Sequence, residues 1–221
     1  MNERKAIDQR NTKETQIKVE LNVDGRGETK IKTPVGILDH MLELFAFHGF
    51  FDLNLEVKGD THIDIHHTNE DIGIVLGKVF KKALGEKEGI KRFGSAFAPM
   101  EGTLGHSVVD ISGRGYIKIS YSGGNLTLQE ELGKEIEKNF PGTSKEFNEK
   151  EAYTFKHIEH FLESFAHQLG ANIIITVKHT DSADLHTIIE TVFISLGMAL
   201  DQATQIDPRR KGVPSTKGII D

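Results

Sequence analysis

The chain has 221 residues, a formal net charge of −6 and no cysteine. That length can bury a full core in one domain or two small ones, and the acidic balance, with no basic stripe or zinc-finger or RRM-like pattern, argues against a nucleic-acid partner. Without cysteine there are no disulfides and no thiolate chemistry; with no membrane-length apolar run and no signal-peptide segment at the start, a cytoplasmic protein away from membranes is expected.

After a polar start, Thr15–Asp24 alternates, with Ile17, Val19, Leu21 and Val23 on one face, and reads as a strand. Gly25-Arg26-Gly27 turns it into a second strand through Lys32, a hairpin pattern. Pro34 and Gly36 break the chain. Leu38, Met41, Leu42 and Phe45 then recur at helical spacing over Ile37–Phe47. Phe51–Lys58 reads as a strand, Gly59-Asp60 as a turn, Thr61–Ile65 as a short edge strand, and Asn69–Leu84 as a helix ending at Gly85.

The pattern then recurs. Ser107–Ser112, Gly113-Arg114-Gly115 and Tyr116–Tyr121 match the first hairpin at an offset of 88 residues. Ile158–Gln168, Asn172–Lys178 and His186–Ala203 match helix, strand and helix at an offset of 120. The 32-residue difference places an insertion around Gly123–Tyr153, a charged, Gly-rich surface excursion expected to be partly helical over Thr127–Asn139. The expected fold is α+β, internally duplicated as β-β-α-β-β-α halves with sheets covered by helices. Residues 1–94 form the first half, 95–204 the second with the insertion at about 123–153, and 205–221 a basic tail, all in one body.

What the repeat preserves is informative. At the offset of 120, His40 falls on His160, Glu43 on Glu163, Phe45 on Phe165, Lys58 on Lys178, Asp64 on Asp184, His66 on His186 and Glu70 on Glu190. Structural repeats tend to keep glycine and apolar residues; this one keeps His, His and Glu. On a helix Glu70 shares a face with His66 or His67, and two adjacent imidazoles diverge by about a hundred degrees, so they suit two different ions. Imidazole with carboxylate fits Mn, Fe, Zn, Co or Ni. Alone, the His66-His67 pair reads sooner as a solvated helix start capped by Thr68 or Asn69, and a lone histidine on an apolar helix face is usually packed in the core. The recurrence favours ligation for His40, His66, Glu70, His160, His186 and Glu190. His48, His62, His106, His157, His167 and His179 lack that support and read as surface or packing residues.

The chain resembles the imidazoleglycerol-phosphate dehydratase family. The resemblance is carried by Arg10-Asn11-Thr12-Lys13-Glu14-Thr15, Leu38-Asp39-His40-Met41-Leu42, His66-His67-Thr68-Asn69-Glu70-Asp71, Arg92-Phe93-Gly94, Asp110-Ile111-Ser112-Gly113-Arg114, Glu159-His160-Phe161 and Pro214-Ser215-Thr216-Lys217-Gly218. It implies a duplicated fold of the ribosomal protein S5 domain 2-like kind, trimers assembled into a 24-subunit shell, and active sites shared between subunits. It also implies two Mn²⁺ ions per site and the removal of water from D-erythro-imidazoleglycerol phosphate, a small phosphorylated imidazole, to give imidazole acetol phosphate in histidine biosynthesis. By the match, His40, His66, His67, Glu70, His160, His186 and Glu190 are metal ligands and Glu14 is an acid/base. Arg92, Arg114, Ser215 and Lys217 hold the phosphate, Arg as a fork and Lys as a point charge. Read without the family, Arg114 is a turn residue and the tail a disordered basic end.

The second half departs from the family pattern. Thr187 stands where the second motif has its second histidine, Ile194 where a phosphate-facing lysine is usual, and Gly102 where Glu14 has its counterpart. Two accounts follow: a working dehydratase with a weakened second metal site, its vacancy filled by water, Asp184 or His179, or a divergent paralogue with altered substrate or lost catalysis that keeps assembly and partial metal binding.

Overall fold

The computed structural model describes residues 4–61, 65–123, 153, 155–180 and 185–220. The expected insertion, with its helix over Thr127–Asn139, lies outside the described residues apart from Gly123 and Tyr153, as do His62 and Asp184. Among the described residues the first half contains β1 (Lys5–Asn11), β2 (Thr15–Asn22), β3 (Thr29–Lys32), α1 (Gly36–His48), β4 (Asp52–Gly59) and α2 (Ile65–Leu84). The second contains β5 (Phe93–Met100), β6 (Thr103–Asp110), β7 (Tyr116–Ser122), α3 (Phe155–Leu169), β8 (Asn172–His179) and α4 (Leu185–Thr204). The α+β class, the duplication and the helix-covered sheets are as expected.

The strand pairing corrects the expected hairpins. Each sheet has four strands, ordered β1-β2-β4-β3 and β5-β6-β8-β7. β2 and β3 do not pair with one another: β4 lies between them, antiparallel to β2 with Val19 opposite Leu55 and parallel to β3 with Ile31 opposite Leu55. Asp52 at the start of β4 gives the reason. Its carboxylate accepts the backbone N–H of Arg26 at 2.7 Å and of Glu28 at 3.2 Å, and the Asn22 amide at 3.0 Å, so Gly25-Arg26-Gly27 wraps over the end of β4. A Cβ on Gly25 would overlap Asp52. In the second half the Asn172 amide donates to Ser112 Oγ at 2.6 Å, and Gly113-Arg114-Gly115 crosses the end of β8 in the same way.

The true hairpins join strands that the alternation hides. β1 pairs antiparallel with β2, and β5 with β6. β1 buries only Ala6 fully. β5 inverts the usual signal: Gly94, Ala96 and Ala98 point inward while Phe93 and Phe97 point out. Small inward residues are required because α4 lies close; a Cβ on Gly94 would sit 1.8 Å from the Ala199 carbonyl oxygen. The expected edge strand over Thr61–Ile65 is also corrected where it is described: Thr61 is in a turn and Ile65 opens α2.

The helices of the two halves pack on one another between the sheets, α2 on α3 and α1 on α4. Glycine makes this approach possible. A Cβ on Gly77 of α2 would lie 2.5 Å from the Phe165 carbonyl oxygen of α3, and one on Gly197 of α4 would lie 2.3 Å from the Phe45 carbonyl oxygen of α1. Both the glycines and the phenylalanines are repeat partners, so one contact is built twice. Phe45, Phe51, Phe80 and Phe165 interlock edge to face at the centre of the core.

Candidate active site

Crossing of the helices brings chemistry-bearing residues from opposite halves together. His40 on α1 meets His186 and Glu190 on α4; His66 on α2 meets His160 on α3. The helix α2 begins at Ile65, four residues earlier than expected, which puts His66, His67 and Glu70 all in its first two turns. Thr68 and Asn69 are therefore buried inside the helix and do not cap it.

At the first of these crossings the ligand atoms converge. His40 Nε2 is 2.9 Å and His186 Nε2 3.1 Å from Glu190 Oε1, and the two imidazoles stack with centroids 5.3 Å apart and planes 5° from parallel. One ligand atom from each residue lies within 4.8 Å of the others. Two imidazoles and a carboxylate at that spacing can hold a divalent transition metal, so the residues present fit the ion that the sequence suggests. Beside His40, burial pushes the Asp39 carboxyl up, against hydrogen bonds from Thr33.

The other crossing is looser. His66 Nδ1 is 3.1 Å from His160 Nδ1, with the rings edge to face, while His66 Nε2 is 3.9 Å from Glu70 Oε2. A groove of about 360 Å³ opens over them, lined also by Glu163, His167 and Gln168. His67 turns away from His66 toward Glu14, with Nδ1 3.7 Å from Glu14 Oε2.

Glu14 reaches that position through residues whose role the sequence reading missed. Asp71, buried one residue beyond Glu70, accepts Arg10 Nε at 2.8 Å and Thr15 Oγ1 at 2.5 Å. Thr12 Oγ1 accepts the backbone N–H groups of Glu14 at 3.1 Å and Thr15 at 2.9 Å. The β1–β2 turn is thus pinned to the start of α2 from both sides of Glu14. Asn69 fixes the same turn of helix to α3: its amide donates to the His157 carbonyl at 2.6 Å and accepts from the Tyr153 hydroxyl at 2.7 Å. Burial pushes the Tyr153 phenol up, which keeps it a neutral donor. The available signal was that Arg10, Thr15, Asn69 and Asp71 stand inside the same short motifs as Glu14 and Glu70.

The four residues expected to hold phosphate are placed unequally. Arg92 forks onto Asp110 (Nε to Oδ1 2.6 Å, Nη2 to Oδ2 3.1 Å) and donates through Nη1 to the Pro214 carbonyl at 3.0 Å, which docks the tail beside it. Ser215 follows at once and its Oγ accepts the Lys217 backbone N–H at 3.2 Å; the Lys217 side chain is exposed. Arg114 is exposed on the connection before β7, where Ser112 Oγ holds its backbone.

The departures from the repeat also have a local structure. Gly102 and Glu101 form the two-residue turn between β5 and β6, both at positive φ (83° and 37°). Thr187 is buried, as is Ile194. His179 ends β8 with its ring against the Thr180 carbonyl and lies outside the converging cluster.

The sequence model of the imidazoleglycerol-phosphate dehydratase family matches residues 33–200. Relatives of that name from Pelobacter propionicus and Geobacillus kaustophilus are 46% and 43% identical over 98% of this chain and 99% of their own length. Among solved structures, an imidazoleglycerol-phosphate dehydratase from Pyrococcus furiosus, in complex with (S)-C348, superposes with a TM-score of 0.72 at 32% identity, covering 96% of this chain and 99% of that one. The enzyme from Staphylococcus aureus gives 0.70 at 30% identity over 92% of this chain and 99% of that one. With sequence and fold in agreement from end to end, the chain belongs to the imidazoleglycerol-phosphate dehydratase family.

Proposed function

We propose that this protein is a manganese-dependent hydro-lyase of the cytoplasm, dehydrating D-erythro-imidazoleglycerol phosphate to imidazole acetol phosphate in histidine biosynthesis. The observation that carries the reading is Glu14, pinned beside His67 on the helix whose first two turns also carry His66 and Glu70. Elimination of water needs one group to take the carbon-bound proton and one to protonate the departing hydroxide. The Glu14 carboxylate, more than half exposed and held through its backbone, is placed to move a proton at Oε2. His40, His186 and Glu190 would hold one ion, and His66, Glu70 and His160 a second, with His67 a further ligand. Bound divalent ions supply Lewis acidity that stabilises negative charge on the substrate ring. Arg92, already charge-paired with Asp110, positions the tail; Ser215, Lys217 and Arg114 then offer a hydroxyl and two cations to the phosphate.

Self-association into trimers and a 24-subunit shell is part of the same proposal. It is supported by the outer face of the second sheet, where Phe93, Phe97, Val108 and Ile174 are exposed, while the outer face of the first carries mainly Lys, Gln, Glu and Asn. A second reading, a paralogue with altered or lost catalysis, is favoured by Gly102, Thr187 and Ile194 together. Metal content per subunit of manganese-loaded protein, measured alongside an assay for imidazole acetol phosphate, separates the two. Turnover with bound manganese is the expected result; metal without product would leave the second reading standing.

A further inference from the structure

We propose that the two metal positions of this chain are unequal: His40, His186 and Glu190 bind an ion tightly and brace α1 against α4, while His66, Glu70 and His160 form a weak, exchangeable position. The proposal rests on the reading of both clusters as divalent-metal sites, and three independent observations carry it.

The first is ligand geometry. Ligand atoms of a tetrahedral or octahedral ion stand about 3–4 Å apart, because each lies about 2.0–2.2 Å from the metal. The His40–His186–Glu190 atoms already approach that spacing, both imidazoles presenting Nε2 to the same carboxylate oxygen. His66 instead turns Nε2 toward Glu70 and Nδ1 toward His160. One ion takes one nitrogen of a ring, so this cluster must rotate an imidazole before it can bind.

The second is burial. The Glu190 side chain is 13% exposed and that of Glu70 47%. A carboxylate withdrawn from water attracts a cation more strongly, whereas within one subunit the His66–Glu70 cluster faces an open groove that leaves its carboxylate hydrated.

The third is a loss spread over several positions of the second half. By the two repeat offsets, Arg10, Glu14, His67 and Asp71 correspond to Ala98, Gly102, Thr187 and Thr191. These four members of the polar group beside the first motif are replaced, although Thr15 keeps its counterpart in Thr103, and His186 and Glu190 remain. Thr191 Oγ1 turns back to the Ile188 carbonyl of its own helix at 2.8 Å. What survives in the second half is an ion clamp without its own acid, and the clamp joins residues 150 apart across the two halves.

Titrating MnCl₂ into metal-free protein, with free Mn²⁺ read by EPR, tests this. Two classes differing by at least about ten-fold in affinity are expected, the first equivalent alone raising the melting temperature. Glu190→Gln removes the tight class and Glu70→Gln the weak one; His40→Gln repeats the Glu190 test from the other half, and far-UV circular dichroism of the metal-free variants confirms that they fold. A single affinity class in the unaltered protein, or a tight class that survives Glu190→Gln and vanishes in Glu70→Gln, overturns the proposal. Turnover with one affinity class sinks this inference and leaves the dehydratase reading; two classes without turnover do the reverse.

Discussion

The start of α2 and the start of α4 are repeat partners, each presenting His and Glu one turn apart toward a histidine from the opposite half. Their surroundings differ. Around α2, Arg10 and Thr15 reach the buried Asp71 and so hold Glu14 against His67. Around α4 the corresponding positions are Ala98, Thr103, Thr191, Gly102 and Thr187, and the nearest turn is a tight hairpin. The core contacts between the halves, Gly77 on Phe165 and Gly197 on Phe45, are built alike beneath both and do not involve these residues. An acid held by its own small polar network can be lost without disturbing the helices beneath it; a metal clamp between helices is tied to the fold.

That comparison can be broken most sharply at Glu14. Glu14→Gln is expected to lower turnover by about 10²–10⁴-fold while metal content and melting temperature stay constant. Steady-state kinetics of the manganese-loaded enzyme would show it, and an unchanged rate removes Glu14 from the chemistry. Asp71→Asn removes a buried carboxylate with two charge-assisted or hydroxyl partners and should cost about 2–3 kcal/mol of stability as well as activity. In the other half Thr191→Ala should stay below about 1 kcal/mol, since it loses only a bond within its own helix; denaturant unfolding compares the pair.

Restoring the lost group is not neutral either. Thr187→His puts a larger ring at a buried position, and Gly102→Glu puts a side chain at φ 83° with its Cβ 2.6 Å from Thr180 Oγ1. Each should destabilise by about 1–3 kcal/mol, and a melting temperature equal to that of the parent would show that the second half can readmit the acid and the imidazole freely. The smallest effect is expected where the first and last elements meet. Side-chain hydrogen bonds from Arg4 hold the Asp24 carboxyl below its ordinary value, and Arg4 also donates to the Thr204 carbonyl at the end of α4. The folded value being lowered, this contribution is present above the unfolded value near about 3.9 and is lost as the pH falls through the folded one. Asp24 itself is half exposed, so Asp24→Asn should cost no more than about 1 kcal/mol at neutral pH and nothing at low pH; urea midpoints at both would read the difference.

Much of the fold was legible in the residues. Helical spacing at Leu38, Met41, Leu42 and Phe45, and the repeat that carries it to the second half, located all four described helices to within a few residues. The strands were less so. Alternation marks a half-buried strand but says nothing of its neighbour, so the pairing of β2 with β4 had to be read from Asp52 holding the Gly25-Arg26-Gly27 connection. β5 escaped because its inward residues are glycine and alanine, a pattern that makes sense only with α4 pressed against it.

The site divides in the same way. Spacing within one helix put His66 beside Glu70 and His186 beside Glu190, because a turn of helix is a local property that the sequence carries by itself. That His40 joins His186 and Glu190, and that His160 joins His66, is a matter of which helix crosses which, and only the packing of the halves decides it. The same packing separates a closed cluster from an open one although their sequences are near copies. Side-chain direction and burial are set by neighbours 94 and 150 residues away, and no local pattern records them.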